Sequence, residues 1–393
     1  MRIVQVNYAF DEALADPEAL LAEYTTLTGW SEALAAGGAE RVMVAQRFRR
    51  NATLTRNRID YIFCRDEGDA HPRPWTWPRR LHQAVADVQP DIVHLNGLIF
   101  PVQTWLLRQV LPRRSALVVQ DHGSGEPLVG GSTPDGLRLP RRLRQRGLRK
   151  ADGFMFSAAG QELAWRAAGL IAPTQQVYRV MEASTTLRRM ERATARQATG
   201  VDGAPAVLWV GRLNGNKDPL TVLDGFETSL ARLPEATLTM IYSAEDLLPA
   251  VQDRLRGSSA LRRCVRLVGR VPHRLMPAFY SAADLFVLGS HHEGSGYALL
   301  EALACGVAPV VTDIPPFRVM TAEGSIGALW TPGDLSGFAR ALVEVAGRGA
   351  EYWRGRILEH FDRALSWAAV GAEAMKAYRD AVMKRRAAAG DRD

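Results

Sequence analysis

Short apolar runs alternate with longer amphipathic stretches along the first half of the chain. The longer stretches carry apolar residues at helical spacing over residues 17–36, 78–88 and 161–168, and we predict helices there. The apolar runs predict buried β-strands at residues 3–6, 42–45, 61–63, 92–95, 117–119 and 154–156. Strands that alternate with helices are typical of βαβ units, so this half predicts a parallel sheet.

A second alternating series occupies the other half of the chain. It predicts strands at residues 206–210, 238–242, 265–267, 285–288 and 308–311, followed by a long helix at about 365–383. A polar, arginine-rich stretch over residues 185–203 separates the two series, and we interpret it as a linker. The pattern predicts an α/β protein of two Rossmann-like domains, with irregular loops at residues 65–78 and 123–137.

The composition of this 393-residue chain, 47% hydrophobic and 23% charged, is that of an ordinary globular protein. No apolar run approaches the roughly 18 residues of a membrane-spanning helix, and the first residues lack a signal-peptide pattern. Three scattered cysteines, Cys64, Cys264 and Cys305, exclude a disulfide framework and a cysteine-based zinc site. We therefore expect a cytoplasmic protein and exclude disordered, collagenous, coiled-coil and integral-membrane classes.

The most informative window covers residues 285–313, where a predicted strand is followed by a glycine-rich turn and a helix over about 297–305. Ligands of parallel α/β sheets bind at the carboxyl ends of strands, and a helix N-terminus there attracts anions. Gly294 and Gly296 allow a ligand to approach the backbone. Glu293 precedes the turn and Glu301 lies on the helix, where it is either a surface residue or a partner for ligand hydroxyls.

A second window, residues 207–221, also has a buried strand that ends in glycine. Arg212 and Lys217 follow in the loop before the next predicted helix. Two cations at the carboxyl end of a strand suit a diphosphate, although a solvated basic loop would have the same sequence. The two windows support each other because both lie at strand ends of one predicted sheet.

These windows carry a resemblance to a known family. The segments are VGRLNGNKDP and HHEGSGYALLEALACGVAPVVTD, which resemble the retaining nucleotide-sugar glycosyltransferases of family 4 (glycosyl transferases group 1). The resemblance is strong over residues 206–311 and rests on layout elsewhere. It implies the GT-B fold, with two Rossmann-like domains that face each other across a cleft. The implied domains are 1–185 for the acceptor, joined by a returning helix at about 368–393, and 186–367 for the nucleotide-sugar donor.

The resemblance also implies an activity and roles for individual residues. The chain would move a sugar from a nucleotide-diphosphate sugar to an acceptor hydroxyl with retention and without a metal. Arg212 and Lys217 would bind the diphosphate and neutralise the leaving group, and Glu293 would contact the sugar ring. Glu301 would accept hydrogen bonds from the ribose hydroxyls. The remaining implied donor-binding residues are Gly211, Gly294, Ser295, Gly296, Tyr297 and Ala298, with Gly269, Arg270 and Val271 at the base.

In the first domain the resemblance implies a histidine beside the donor sugar, after a strand. His122, which follows the predicted strand at 117–119, is our candidate, and His94 on the preceding strand is the competitor. No cofactor beyond the donor is implied; a UDP-sugar is favoured and a GDP-sugar is next. The acceptor would be a sugar, a lipid-linked sugar or a small molecule.

Residues 138–150 contain six arginines and Lys150 without an acidic residue, in a chain of net charge +7. This basic run has three interpretations: peripheral contact with an anionic membrane on its inner face, attraction of a phosphorylated acceptor, or a solvated helix. Nucleic-acid binding is not predicted, because no recognised motif accompanies the charge. The alternative functions are a GT-B sugar-nucleotide epimerase or phosphorylase, or a basic lipid- or nucleic-acid-binding protein.

Overall fold

The computed structural model describes residues 1–9, 11–65, 76–123 and 140–390. The chain divides into two compact units: unit 1 is Met1–Ala183 with Trp367–Asp393, and unit 2 is Ser184–Ser366. Most of the loops predicted at 65–78 and 123–137, and the first two residues of the basic run, lie outside the described residues.

Unit 1 is built on an eight-stranded sheet with the order β3-β4-β2-β1-β5-β6-β7-β8. All neighbouring strands are parallel except β3 and β4, which form an antiparallel hairpin at the edge. The strands are β1 (Arg2–Asn7), β2 (Arg41–Arg47), β3 (Ala52–Arg56), β4 (Ile59–Cys64), β5 (Ile92–Asn96), β6 (Ala116–Gln120), β7 (Gly153–Phe156) and β8 (Gln176–Arg179). The six predicted strands are all present, and the structure adds the edge strands β3 and β8.

In the described part of unit 1, six helices precede unit 2 in the chain. They are α1 (Pro17–Glu23), α2 (Thr25–Ala36), α3 (Arg79–Asp87), α4 (Pro101–Val110), α5 (Arg141–Leu148) and α6 (Gln161–Ala167). The single helix predicted over 17–36 is wrong, because the backbone of Tyr24 leaves the helical region at φ −91° and ψ 66°. The Tyr24 hydroxyl donates to Asp11 at 2.8 Å, which holds the chain at this break.

Unit 2 contains a six-stranded, fully parallel sheet with the order β11-β10-β9-β12-β13-β14. Its strands are β9 (Ala206–Gly211), β10 (Thr237–Tyr242), β11 (Val265–Gly269), β12 (Leu285–Leu288), β13 (Ala308–Thr312) and β14 (Ala328–Trp330). Its helices are α7 (Arg192–Thr199), α8 (Pro219–Ser229), α9 (Leu248–Arg256), α10 (Ser259–Cys264), α11 (Met276–Ala282), α12 (Tyr297–Ala304), α13 (Pro315–Met320), α14 (Leu335–Arg348) and α15 (Ala350–His360). The five predicted strands are present, which confirms the α/β class.

The stretch predicted as a linker, residues 185–203, is instead part of unit 2. It contains α7, whose Ala195 is buried beside Ala282 of α11. The arginines on α7 are neutralised: Arg196 donates to Asp284 Oδ2 at 3.0 Å, and Arg192 forms an ion pair with the same carboxylate. The polar sequence did not predict this helix, because the acid that pairs with its arginines, Asp284, lies some ninety residues later in the chain.

The last helix, α16 (Trp367–Ala389), packs in unit 1 against α2. Its buried Tyr378 hydroxyl accepts a hydrogen bond from Trp30 Nε1 at 3.2 Å and contacts Nδ1 of His94 on β5. His94 is fully buried, and this burial lowers the pKa of its ring to about 3. The neutral ring can accept a hydrogen bond from the Tyr378 hydroxyl at Nδ1, and this contact ties the returning helix to the sheet.

We predict that Tyr378→Phe lowers the free energy of unfolding by about 1–3 kcal/mol, because Trp30 and His94 lose a buried partner. Urea-induced unfolding followed by circular dichroism measures the change. Tyr352→Phe is the control, since Tyr352 is 45% exposed and its hydroxyl only accepts from Arg348 at 3.2 Å; we expect less than about 0.5 kcal/mol there. Equal losses in both variants would contradict the prediction.

Candidate functional site

Two loops of unit 2 meet at the carboxyl edge of its sheet, because β9 and β12 are neighbouring parallel strands. We call residues 212–218 the β9 loop and residues 289–296 the β12 loop. Asn216 joins them: its Nδ2 donates to the His292 carbonyl at 3.0 Å, and its Oδ1 accepts from the His292 backbone N–H at 3.0 Å. Its own carbonyl accepts from His291 N–H at 2.8 Å. Sequence reasoning missed this connecting residue, because an asparagine in a polar loop carries no signal of its partner.

The two loops bring a predicted cation and a predicted carboxylate together. Lys217 Nζ forms a salt bridge with Glu293 Oε1, and the two side chains are only 12% and 11% exposed. The Lys217 backbone N–H donates to Asn214 Oδ1 at 3.1 Å, which fixes the turn that carries it. Arg212 is exposed and has no ion-pair partner within the described ranges. The site therefore holds one neutralised pair and one cation that faces solvent.

The β12 loop leads directly into α12, which ends at Ala304, one residue earlier than predicted. Gly296 precedes α12 with φ 60°, and a Cβ there would lie 2.6 Å from Phe317 Cε1. Ser295 is buried, and its Oγ has no hydrogen-bond partner among the described residues. Tyr297 is 48% exposed. Gly294 and Ala298 are half-buried. This turn therefore leaves the first N–H groups of α12 at the edge of the sheet, where they favour an anion.

Both carboxylate oxygens of Glu301 are held by side chains that the sequence analysis did not identify. Tyr280 on α11 donates its hydroxyl to Oε2 at 2.8 Å, and His273 Nε2 lies 2.6 Å from Oε1. Tyr280 is fully buried; burial and the nearby Glu301 charge raise its pKa well above the usual value, so it remains a donor. His273 is 61% exposed. Glu301 is thus oriented from the buried side and covered from the solvent side.

The residues predicted at the nucleotide base lie at the same edge of the sheet: Gly269 ends β11, and Arg270 and Val271 follow it. The pairing of β11 with β10 shifts by one residue after Leu267, so that Gly269 pairs with Ile241. Arg270 is exposed and Val271 is half-buried. Because His273 comes two residues after Val271, the base segment and the Glu301 carboxylate belong to one continuous stretch of surface.

In unit 1 the two candidate histidines have opposite environments. His94 is the core residue described above, whereas His122 follows β6 and its side chain is 38% exposed. His122 Nδ1 lies 2.9 Å from Glu182 Oε2, and Nε2 lies 2.9 Å from Asn96 Oδ1. Burial acts to lower the pKa of His122, but the Glu182 contact and the charges of Glu182 and Asp121 raise it overall. Only His122 lies at the carboxyl edge of the sheet.

The described part of the basic run forms α5, which docks on α4. Gly147 and Leu148 are buried, and a Cβ at position 147 would lie 2.1 Å from the Pro101 carbonyl oxygen. Arg141, Arg142 and Leu143, in the first turn of α5, are exposed. Over the residues that the structure covers, no helix is both long and apolar enough to span a bilayer, and no three His, Cys, Asp or Glu side chains are grouped to hold a metal.

Solved structures with the same architecture define the class. A sucrose-phosphate synthase from Thermosynechococcus elongatus superimposes with a TM-score of 0.69 over 98% of this chain and 100% of its own, at 19% identity. A glycosyltransferase from Rickettsia africae gives a TM-score of 0.69 over 97% of this chain and 98% of its own, at 12% identity. The fold is therefore GT-B.

Sequence comparison finds a known family that matches part of the chain. The family described as glycosyl transferases group 1 matches residues 204–347. The chain is 26% identical to a GDP-mannose:cellobiosyl-diphosphopolyprenol alpha-mannosyltransferase of Xanthomonas campestris, over 70% of this chain and 74% of that protein. It is 35% identical to a mannosylfructose-phosphate synthase of Agrobacterium fabrum, over 36% of this chain and 32% of that protein. The match over residues 204–347 confirms the resemblance to the glycosyl transferases group 1 family, and the chain is a glycosyltransferase.

The backbone at Gly296 yields a stability prediction. We expect Gly296→Ala to lower the free energy of unfolding by at least about 1–2 kcal/mol, because a Cβ strains the left-handed backbone and also meets Phe317. Gly215→Ala in the β9 loop is the matched control: its φ is not positive and no atom lies within 4 Å of the new Cβ. Thermal unfolding compares the two variants. A melting temperature of Gly296→Ala equal to that of the control would show that the turn tolerates a side chain.

Proposed function

We propose that this glycosyltransferase moves a sugar from a nucleotide-diphosphate sugar to an acceptor hydroxyl, with retention of configuration and without a metal. The observation that carries the proposal is the Lys217–Glu293 salt bridge beside the N-terminus of α12. A donor supplies the complementary groups. Its diphosphate takes Lys217 and the α12 N–H groups, and its sugar hydroxyls take the carboxylate that Lys217 releases.

The cations take the part that a metal plays in other transferases. Arg212 and Lys217 lie on one loop, and the leaving nucleoside diphosphate gains negative charge as the bond to the sugar breaks. Two fixed cations and a helix N-terminus at that point stabilise the developing charge in the transition state. The exposed Arg212 guanidinium, with no ion pair to break within the described ranges, turns to the diphosphate.

Retention follows from attack on the same face as the departing phosphate. In our proposal the acceptor hydroxyl attacks an oxocarbenium-like ion pair, and the departing phosphate oxygen takes the acceptor proton. Glu293 positions the sugar ring in this scheme and forms no covalent bond. His122 of unit 1 donates a hydrogen bond to a sugar oxygen. The anomeric configuration of the product, read from its proton NMR spectrum, tests retention, and activity in the presence of a chelator tests independence from a metal.

The nucleoside is held by its ribose and its base. Glu301, oriented by Tyr280, accepts hydrogen bonds from the ribose hydroxyls. These hydroxyls replace His273 as the partner of Glu301 Oε1. The segment 269–271 lines the base. A UDP-sugar is our first choice for the donor, and the name of the Xanthomonas relative supports GDP-mannose beside it. Both belong in the first donor panel.

We predict that one family of nucleotide-sugars raises the melting temperature of the wild-type protein, and that Glu301→Gln weakens its binding by roughly 10-fold or more. The loss of a charge-assisted hydrogen bond to a ribose hydroxyl, about 1.5–3 kcal/mol, sets this magnitude. Isothermal titration calorimetry measures the affinities. Glu344→Gln is the control, because Glu344 is an exposed acid on α14 that pairs with Arg348.

Two results would contradict the donor site. One is the absence of a thermal shift with any UDP-, GDP-, ADP- or TDP-sugar at millimolar concentration. The other is donor binding by Glu301→Gln that equals binding by the Glu344→Gln control. Lys217→Ala distinguishes the diphosphate from the ribose, because it weakens binding of nucleoside diphosphates more than binding of the free nucleoside.

We further propose that the acceptor is lipid-linked and that α5 brings the enzyme to an anionic membrane surface. The Xanthomonas relative is named for a diphosphopolyprenol acceptor. Supporting this, Arg141, Arg142 and Leu143 are exposed in the first turn of α5, while Gly147 and Leu148 in its last turn are buried in unit 1. Each basic residue near an anionic surface contributes about 1 kcal/mol to membrane binding.

We predict that the double variant Arg141→Glu/Arg142→Glu binds vesicles of phosphatidylglycerol and phosphatidylcholine at least about 10-fold more weakly than the wild type. Co-sedimentation at low and high salt measures the binding. Arg262→Glu/Arg263→Glu on α10 makes the same change of charge on exposed residues of unit 2 and is the control. Equal losses in both double variants would indicate a general charge effect and would remove α5 from the proposal.

A further inference from the structure

A row of four polar side chains runs along the carboxyl edge of the unit 1 sheet. Glu182, which follows β8, contacts His122 Nδ1 at 2.9 Å, and His122 Nε2 contacts Asn96 Oδ1 at 2.9 Å. Asn96 Nδ2 donates to Asn7 Oδ1. Asn7 and Asn96 are register partners on the neighbouring strands β1 and β5, so the backbone fixes their separation. The row is therefore a built arrangement rather than a chance contact of surface side chains.

The contacts of this row indicate where the protons of His122 lie. With the amide nitrogen of Asn96 donating to Asn7, the amide oxygen faces His122 and favours a proton on Nε2. Nδ1 lies 2.9 Å from the Glu182 carboxylate, which can only accept, so this ion-pair contact favours a proton on Nδ1 as well. A ring with a proton on each nitrogen is an imidazolium.

Glu182 is the group that holds this proton in place. Its residue is 5% exposed, and His122 is its only ion-pair partner within the described ranges. A buried carboxylate without a counter-charge is costly, so Glu182 and the protonated ring stabilise each other. The other titratable groups around the ring are Asp121, whose charge acts in the same direction, and His94, whose buried ring is neutral.

We infer that Glu182 is a positioning residue for sugar transfer: it keeps His122 protonated on both nitrogens, and a sugar oxygen of the bound donor takes the Nε2–H in place of Asn96 Oδ1. The inference rests on the proposed function, in which His122 contacts the donor sugar. A neutral His122 with its one proton on Nδ1 would present a bare Nε2 and repel that oxygen. Sequence reasoning identified His122 but not Glu182, which belongs to an otherwise unmarked segment after β8.

The sign of the pH dependence follows from the raised pKa of His122. The stabilisation from the pair is fully present below the pKa of an unfolded histidine, about 6.5, and is lost as pH rises through the folded value. The same titration removes the Nε2–H donor. The turnover number of the transferase therefore declines on the alkaline side as His122 loses its proton, while binding of the nucleotide to unit 2 does not follow this titration.

The test compares Glu182→Gln with Glu162→Gln in the full-length protein. Glu162 is a matched control: it is also a buried acid of unit 1, with its side chain 11% exposed, but it pairs with Arg179 and contacts no histidine. Histidine ring protons are followed by NMR during a pH titration without ligand, and His122→Asn assigns the His122 signal. We expect Glu182→Gln to lower the His122 titration midpoint by about one pH unit or more, and Glu162→Gln to leave it unchanged.

Kinetics with the best donor of the panel complete the test. We expect the alkaline limb of the kcat profile to shift to lower pH in Glu182→Gln by the same amount, with KM for the donor nearly unchanged. Glu182→Asp, which restores the charge, should reverse part of the shift in the NMR midpoint and part of the shift in the kcat profile.

An unchanged NMR midpoint in Glu182→Gln overturns the inference whatever the activity. A lowered midpoint with an unchanged kcat profile overturns the positioning role. No transfer by the wild-type protein with any donor overturns the proposed function, a result that the ligand-free NMR titration keeps separate.

Discussion

The parallel pairing of β9 with β12 is the constraint on which the candidate donor site depends. Leu285 pairs with Val207, and the two strands end at one edge with their loops side by side. Asn216 then fastens the loops to each other. As a result, Lys217 and Glu293 form a partly buried ion pair, although they are 76 positions apart in the chain. A sheet of any other strand order would separate them.

Three histidines of unit 1 show how the same side chain takes different roles in one domain. Burial lowers the pKa of His82 and His94 to about 3, so each is neutral and accepts or donates within the core. His82 contacts the Tyr8 hydroxyl at 2.7 Å and His94 contacts Tyr378. His122 differs because a carboxylate lies against it. The environment, and not the distance from the strand end in sequence, separates structural histidines from a candidate for chemistry.

The central strands could be predicted from sequence because they are buried on both faces and read as continuous apolar runs. Of the four edge strands of the described sheets, β11 was predicted, whereas β3, β8 and β14 were not, since β3 and β8 mix polar and apolar residues and β14 has three residues only. Helix α7 was not predicted either, because its arginines pair with Asp284, a contact that the local sequence does not indicate.

The site residues at strand ends followed from motif and spacing, and Arg212, Lys217, Glu293 and Glu301 do lie at one edge of the sheet. Their partners did not follow. Tyr280, His273 and Glu182 act through contacts that span 21, 28 and 60 positions, as the hydrogen bonds and ion pair record. Such contacts are set by the packing of α11 and by the strand order of unit 1, which a local pattern does not encode.

The return of α16 to unit 1 makes unit 2 an insertion within unit 1. Unit 2 is continuous, and its two ends are held together, since Ser184 Oγ donates to the Leu365 carbonyl at 2.6 Å. Unit 1 lacks α16 until that segment, which follows unit 2 in the chain, has been made. During synthesis on the ribosome, unit 2 can therefore complete its fold first. His94 and Trp30 of unit 1 gain their hydrogen-bond partner Tyr378 only afterwards. Synthesis of unit 1 therefore begins before that of unit 2 and ends after it. A chain that stops before α16 leaves Trp30 and His94 without their partner Tyr378.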